Sequence, residues 1–302
     1  MVRGATAALA AEIRSWCVSL KIGAGLGALF VLAGLLAPWI APYDPYYQDF
    51  AAALLPPELA HPFGTDSLGR DIFSRVLHGI RIDLTIGAIS TYVPMAYGVV
   101  LGAYAGYIGG RFDALVMRIL DVAMAFPFLV LIIVIVAILG PGVQNIYIAI
   151  FLVAWTMYAR LARAEMMVER SKDYVTAARV LGFPMGRVIF RHGLPNVINS
   201  SIVFSASDFV LNILLVSGLS FLGLGIQPPI PEWGAMVAEA RDFMLQAWWI
   251  STLPGLAIVV TGTALSLISS SVKARPKPSA LSRMLMGPVK PSRTNCADSR
   301  PL

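Results

Sequence analysis

Three histidines, His61, His78 and His192, are the side chains best suited to move a proton or ligate a metal near neutral pH. His61, Asp66, Asp71 and His78 lie near one another in the chain, but their spacing matches no compact metal motif, so no metal site is expected. No Gly-x-x-x-x-Gly-Lys-Ser/Thr loop occurs, and the chain is not expected to hydrolyse ATP. No His-Glu-x-x-His pair and no grouped nucleophile, base and orienting acid occur, so no catalytic residue is expected. Two other polar sets stand out. Asp208 and Asn212 are spaced i, i+4 inside an apolar run. The stretch DYVTAARVLGFPMGRVIFRHGLPN, residues 173–196, is basic in a chain that is 57% apolar and only 13% charged. Such groups suit recognition and movement rather than bond-making.

The composition is that of a polytopic membrane protein, against about 25% charged residues in a soluble domain. About 20 apolar residues cross a hydrocarbon core of about 30 Å. Six runs meet that length: 22–42, 84–110, about 114–139, about 145–164, about 197–221 and about 248–270. The third and fourth are separated by Gly140-Pro141-Gly142. The expected fold is therefore all-α, with six transmembrane helices and a short helix between spans four and five. Residues 1–43 hold the N-terminus and the first span, and 44–81 an outer segment. Residues 82–272 form a five-helix core containing the loop 165–196, and 273–302 a basic, disordered tail. Span one has a longer apolar core than a signal peptide, and is expected to stay as an uncleaved anchor.

Six spans put both termini on one side. With the termini inside, 19 of the 23 basic residues lie inside and only Arg70, Arg75, Arg81 and Arg241 outside. The positive-inside rule selects that orientation, with both termini cytoplasmic. Cys17 and Cys296 then face the reducing side as free thiols.

Leu68, Ile72, Val76 and Ile80 recur every four residues, with Arg70, Asp71, Ser74, Arg75 and His78 opposite. This predicts an amphipathic helix on the outer surface. Residues 227–234 are too rich in proline for a helix and predict a rigid outer loop, with Trp233 at the membrane interface. Arg118 and Asp121, spaced i, i+3, can pair or snorkel to the interface. A mid-span carboxylate costs about 2.5–3.5 kcal/mol, so Asp208 must face protein or water. Two roles are open to Asp208 and Asn212: lining a translocation path, or a structural hydrogen bond to a neighbouring helix.

In the 173–196 stretch, Ser171 is the expected helix cap and Asp173 suits the positive end of the helix dipole. Tyr174, Ala177, Ala178 and Leu181 share helical spacing and predict one apolar face. Gly182 is the expected residue just past the helix, and Pro184 prevents its continuation. A helix of about ten residues is unstable alone, so something must pack on it. The residues alone leave two candidates: a protein partner, or anionic lipid headgroups.

Thr176-Ala177-Ala178, Gly182 and Leu194-Pro195 resemble the EAA loop of ABC importer permeases in type and spacing. Four further stretches strengthen the resemblance: HPFGTDSLGRDIFSRVLHGIRIDLTIG (61–87), GYIGGRFDALVMRILDVAMAFPFL (106–129), SFLGLGIQPPIPEWGAM (220–236) and Pro254-Gly255. Together they are similar to the second permease of dipeptide, oligopeptide and nickel importers. The resemblance implies that the short helix docks an ATPase subunit through Asp173, Tyr174, Thr176, Ala177, Ala178, Leu181, Gly182, Leu194 and Pro195. It implies a second homologous permease, two ATPase subunits carrying ATP and Mg²⁺, and a periplasmic or lipid-anchored solute-binding protein. This chain would itself bind no cofactor. Beyond these and membrane lipid no partner is implied, and nothing points to nucleic acid. The family usually has Glu where Thr176 stands, an acid before SFLGLG where Val216 stands, and a Gly-Asp-Gly-Leu-Arg-like end where Ser269-Ser270-Ser271-Val272-Lys273 stands. A stand-alone transporter or channel, or a degenerate permease copy, is the competing expectation.

Overall fold

The computed structural model describes residues 18–273, and every regular element within them is a helix. Both cysteines and the expected disordered tail beyond Lys273 lie outside the described residues. The helices are α1 (Val18–Ile40), α2 (Ile72–Ile108), α3 (Gly110–Met124), α4 (Phe128–Leu139) and α5 (Val143–Glu169). They are followed by α6 (Asp173–Val180), α7 (Met185–Phe221), α8 (Trp233–Glu239) and α9 (Trp249–Lys273). Among the described residues, α1, α2, α5, α7 and α9 are long and apolar enough to cross a membrane, and α3 and α4 form a pair bent by 83°.

The way α2 meets α5 shows that the bent pair is the sixth crossing. Gly98, Gly102 and Gly106 of α2 face Trp155, Ala159 and Arg163 of α5 in the same order, so the two helices run parallel. The chain between them must return across the bundle. The contact is backbone to backbone: a Cβ on Gly98, Gly102 or Gly106 would lie 2.7, 2.1 or 2.6 Å from the facing carbonyl oxygen. Small residues at intervals of four allow this approach in a membrane, where helix association rests on packing rather than on expulsion from water. On the other side of the bundle, Gly23 of α1 meets Ala264 and Leu267 of α9. That antiparallel pairing brings the first and last described residues to the end that holds α6.

At the opposite end the structure corrects four expectations. The outer amphipathic helix is not separate, because α2 begins at Ile72 and runs unbroken for 37 residues, about 55 Å. Asp71 caps it by accepting from the Ser74 amide at 2.8 Å. The polar side of this segment points into protein: Arg70, Asp71, Ser74 and Arg75 are buried. Asp66 Oδ2 accepts from Arg70 Nε at 2.6 Å and Arg75 Nη1 at 2.5 Å, and Glu239 of α8 accepts from both arginines at 3.0 Å. Partners contributed by α8, far away in sequence, turned an amphipathic pattern inward. Trp233, expected at the interface, is fully buried at the start of α8, with its indole donating to the Val76 carbonyl at 3.1 Å. Glu232 caps α8 by accepting from the Gly234 and Ala235 amides at 2.8 and 2.7 Å. Residues 227–232 are non-helical, as their prolines require, but the loop expected to reach 234 ends at Glu232, whose cap starts α8 at Trp233.

The remaining differences concern pairing and helix limits. Asp121 pairs with Arg160 of α5 at 2.7 Å rather than with Arg118. The expected fifth span starts earlier, since α7 begins at Met185 and includes a wider π turn over Val188–Gly193. That turn directly precedes Leu194-Pro195, where proline has no amide to close an α turn.

Candidate functional site

The loop between α5 and α7, residues 170–184, is built around one short helix, α6. α6 has eight residues and an acidic first turn at Asp173. Its cap differs from expectation: Lys172 occupies that position without a side-chain bond, and the Ser171 hydroxyl donates instead to the Val168 carbonyl at 2.7 Å. The other end forms as its residues require. The Phe183 amide donates to Ala178 O at 3.2 Å and the Gly182 amide to Arg179 O at 3.0 Å, with Gly182 at φ +77°. This is a Schellman closure, and Pro184 follows it. A Cβ at Gly182 would meet nothing within 4 Å among the described residues, so a substitution there is resisted by backbone strain of about 1–2 kcal/mol rather than by a clash. The Gly182→Val change is expected to loosen the end of α6. Trypsin cleavage at Arg179 and Arg187 should accelerate, and an unchanged rate would show that the closure is not needed.

Eight residues cannot hold a helix alone. Val175 and Ala178 are buried against Val188 of α7, with Tyr107 at the end of α2 packed beside them. Arg179 lies over the Tyr107 ring at 5.4 Å, and Arg187 over the Phe183 ring at 5.2 Å, which in turn stacks on His192. The Tyr174 hydroxyl donates to Glu169, the last residue of α5, and accepts from Asn196 of α7 at 2.8 Å. Burial and then the Glu169 hydrogen bond push the Tyr174 hydroxyl up to about 12, so it remains a donor at any physiological pH.

The expected single apolar face is split by this packing. Ala178 turns inward with Val175, while Tyr174, Thr176, Ala177, Val180 and Leu181 stay exposed, Leu181 at 73%. Asp173 and Gly182 are exposed too, Leu194 is half-buried and Pro195 is exposed. Sequence reasoning missed Val175, Tyr107 and Asn196. Only Val175, three residues before Ala178, carried a local signal.

Asp208 and Asn212 lie in α7, away from this loop. Asp208 Oδ2 accepts from the Tyr158 hydroxyl at 2.7 Å and from Asn212 Nδ2 at 3.2 Å. Asn212 is buried and also donates to Thr91 Oγ1 of α2 at 2.9 Å. The acids and histidines weighed for a metal have separate engagements. Asp66 serves the arginines, His61 pairs with Asp71 at 3.0 Å, and His78 meets the Ser74 carbonyl.

Residues 98–277 match the family described as binding-protein-dependent transport system inner membrane component, and residues 21–57 match the N-terminal TM domain of oligopeptide transport permease C. The chain is 44% identical over 251 residues to the di/tripeptide transport system permease protein DppC of Pseudomonas aeruginosa, covering 81% of this chain and 83% of that protein. It is 40% identical to the probable D,D-dipeptide transport system permease protein DdpC of Escherichia coli K12, covering 81% and 82%. It is 41% identical to the glutathione transport system permease protein GsiD of Pectobacterium atrosepticum, covering 83% and 84%. With its helical membrane bundle and tethered α6, the chain belongs to the binding-protein-dependent inner membrane components, as a permease subunit of an ABC importer.

Proposed function

We propose that this permease carries di- or tripeptides, pairs with a second homologous permease, and receives ATP-driven motion through α6. The observation that supports the coupling role most directly is the division of α6 into two sides. Val175 and Ala178 anchor it to the chain's own spans, and Tyr174, Ala177 and Leu181 are left uncovered. A short helix tied firmly from behind and apolar in front suits transmission of a push. ATP and Mg²⁺ belong on two partner ATPase subunits, and a solute-binding protein delivers peptide at the Asp66 end. The charge asymmetry supports a cytoplasmic side for α6 and both termini. The mechanism is alternating access, with closure of the ATPases moving α6 and opening the path to the other side. Thr176, exposed on α6, leaves this docking without the family's usual acid.

Leu181→Asp tests docking cleanly, since a side chain so exposed contributes little to the chain's own fold. At normal membrane levels, uptake of a labelled dipeptide is expected to fall by about tenfold or more, equivalent to about 1.4 kcal/mol at the interface. The ATPase should co-purify less well. Undiminished uptake and co-purification would end the docking reading. Competition between labelled dipeptide and unlabelled glutathione separates the two substrate classes named for the relatives.

A further inference from the structure

We infer that α5 and α7 are clamped into one lever by a ladder of polar rungs that starts beside α6 and ends inside the bundle. The first rung joins Glu169 of α5 to Asn196 of α7 through the Tyr174 hydroxyl. Farther along, the Ser200 hydroxyl donates to Glu165 Oε1 at 2.6 Å. Farther still, the Tyr158 hydroxyl donates to Asp208 Oδ2 at 2.7 Å. Going up the ladder, each step back along α5 is matched by a nearly equal step forward along α7. That is the register of an antiparallel helix pair with no slippage between rungs. Between the polar rungs, Ala162 and Met166 of α5 and Val197 of α7 are buried in one apolar cluster.

The first rung is exposed at Asn196, but the two inner rungs are part-buried, where water replaces a lost partner poorly, so sliding would leave polar groups unpaired. The ladder grows directly out of the α6 attachment, because Tyr174 belongs both to α6 and to the first rung. Asn212 extends it sideways to Thr91 of α2 at 2.9 Å. Motion delivered to α6 therefore moves α5 and α7 together instead of bending one against the other. Asp208 is accordingly a positioning residue. This inference rests on the reading of α6 as the coupling helix only for where the motion comes from.

The test uses the complete transporter in proteoliposomes, with spin labels at Met167 of α5 and Ile202 of α7, both exposed. In the native chain the distance between labels should be narrowly distributed and the same with and without ATP. Asp208→Leu should broaden it and lower peptide moved per ATP hydrolysed about fivefold. Asp208→Asn, which keeps an acceptor for Tyr158, should recover most of both. Tyr158→Phe combined with Ser200→Ala removes two rungs while leaving Asp208 in place and should reproduce the broadening if the leucine variant fails to insert. A narrow distance in every variant overturns the ladder. Equal losses for the Asn and Leu variants at narrow distance would likewise overturn it, and assign Asp208's charge to the translocation path. Loss of ATPase co-purification from the native chain refutes the docking reading alone, since the distance distribution is read without nucleotide as well.

Discussion

Gly102→Leu is expected to abolish accumulation of this permease in the membrane. A Cβ at Gly102 alone would sit 2.1 Å from the Ala159 carbonyl oxygen and 2.7 Å from that residue's Cα. Both obstacles are backbone atoms inside α5, so no side-chain rotation relieves them. The neighbouring contacts at Gly98 and Gly106 prevent the helices from parting at one point only. Overpacking in a core usually costs about 1–3 kcal/mol, and this contact lies at the tight extreme. Inside a membrane, separated helices gain lipid contacts in exchange, so there is little hydrophobic force to hold a strained pair together. Even Gly102→Ala should lower the melting temperature in detergent. Gly25→Ala is the control: among the described residues nothing would lie within 4 Å of a Cβ there, and alanine is the better helix former by about 0.5–1 kcal/mol. Equal membrane levels for the Gly102 and Gly25 variants would mean that α2 and α5 do not pack this closely.

The second large effect is expected at Asp66. Its carboxylate accepts from Arg70 and Arg75 and from the Leu68 and Arg70 amides at 2.9 and 3.0 Å, and it is 2% exposed. Arg75 already has two buried guanidinium nitrogens, Nε and Nη2, without a hydrogen-bond partner among the described residues. Asp66→Ala leaves two buried guanidinium groups to one carboxylate, Glu239. Removing one partner of a buried ion pair costs about 3–5 kcal/mol, because the orphaned charge stays out of water. In a chain of this size that is about 10 °C in melting temperature. The loops at that end should also become sensitive to protease. Glu239→Gln should cost less, since Glu239 is 19% exposed and water can replace part of the loss. If the two variants melted alike, the quartet would be hydrated and its burial without consequence.

Local chemistry was legible from residue order alone. Apolar length and the Gly140-Pro141-Gly142 break marked the spans, and Gly182 with Pro184 marked the end of α6. Breaks and the glycine closure depend on neighbours in the chain, so they can be read without knowing the fold, whereas the N-cap expected at Ser171 fell to Lys172. The motif set around residues 61–87, 106–129 and 220–236 carried the family. Rotation of a helix about its axis was not legible, because partners distant in sequence decide it. The polar side of residues 70–78 could face water or protein until Glu239 and Trp233 were brought against it. Tyr174 and Ala177 could share a face with Ala178 until Val188 and Tyr107 drew Ala178 inward with Val175. The glycines at 98, 102 and 106 carried a spacing but no address, and only the three-dimensional fold set them against α5. What the sequence determined by itself was a six-span permease with a short, glycine-closed helix between two of its spans. The tertiary structure decided which side of that helix is anchored and which is free, since burial is settled by long-range contacts that no local pattern encodes.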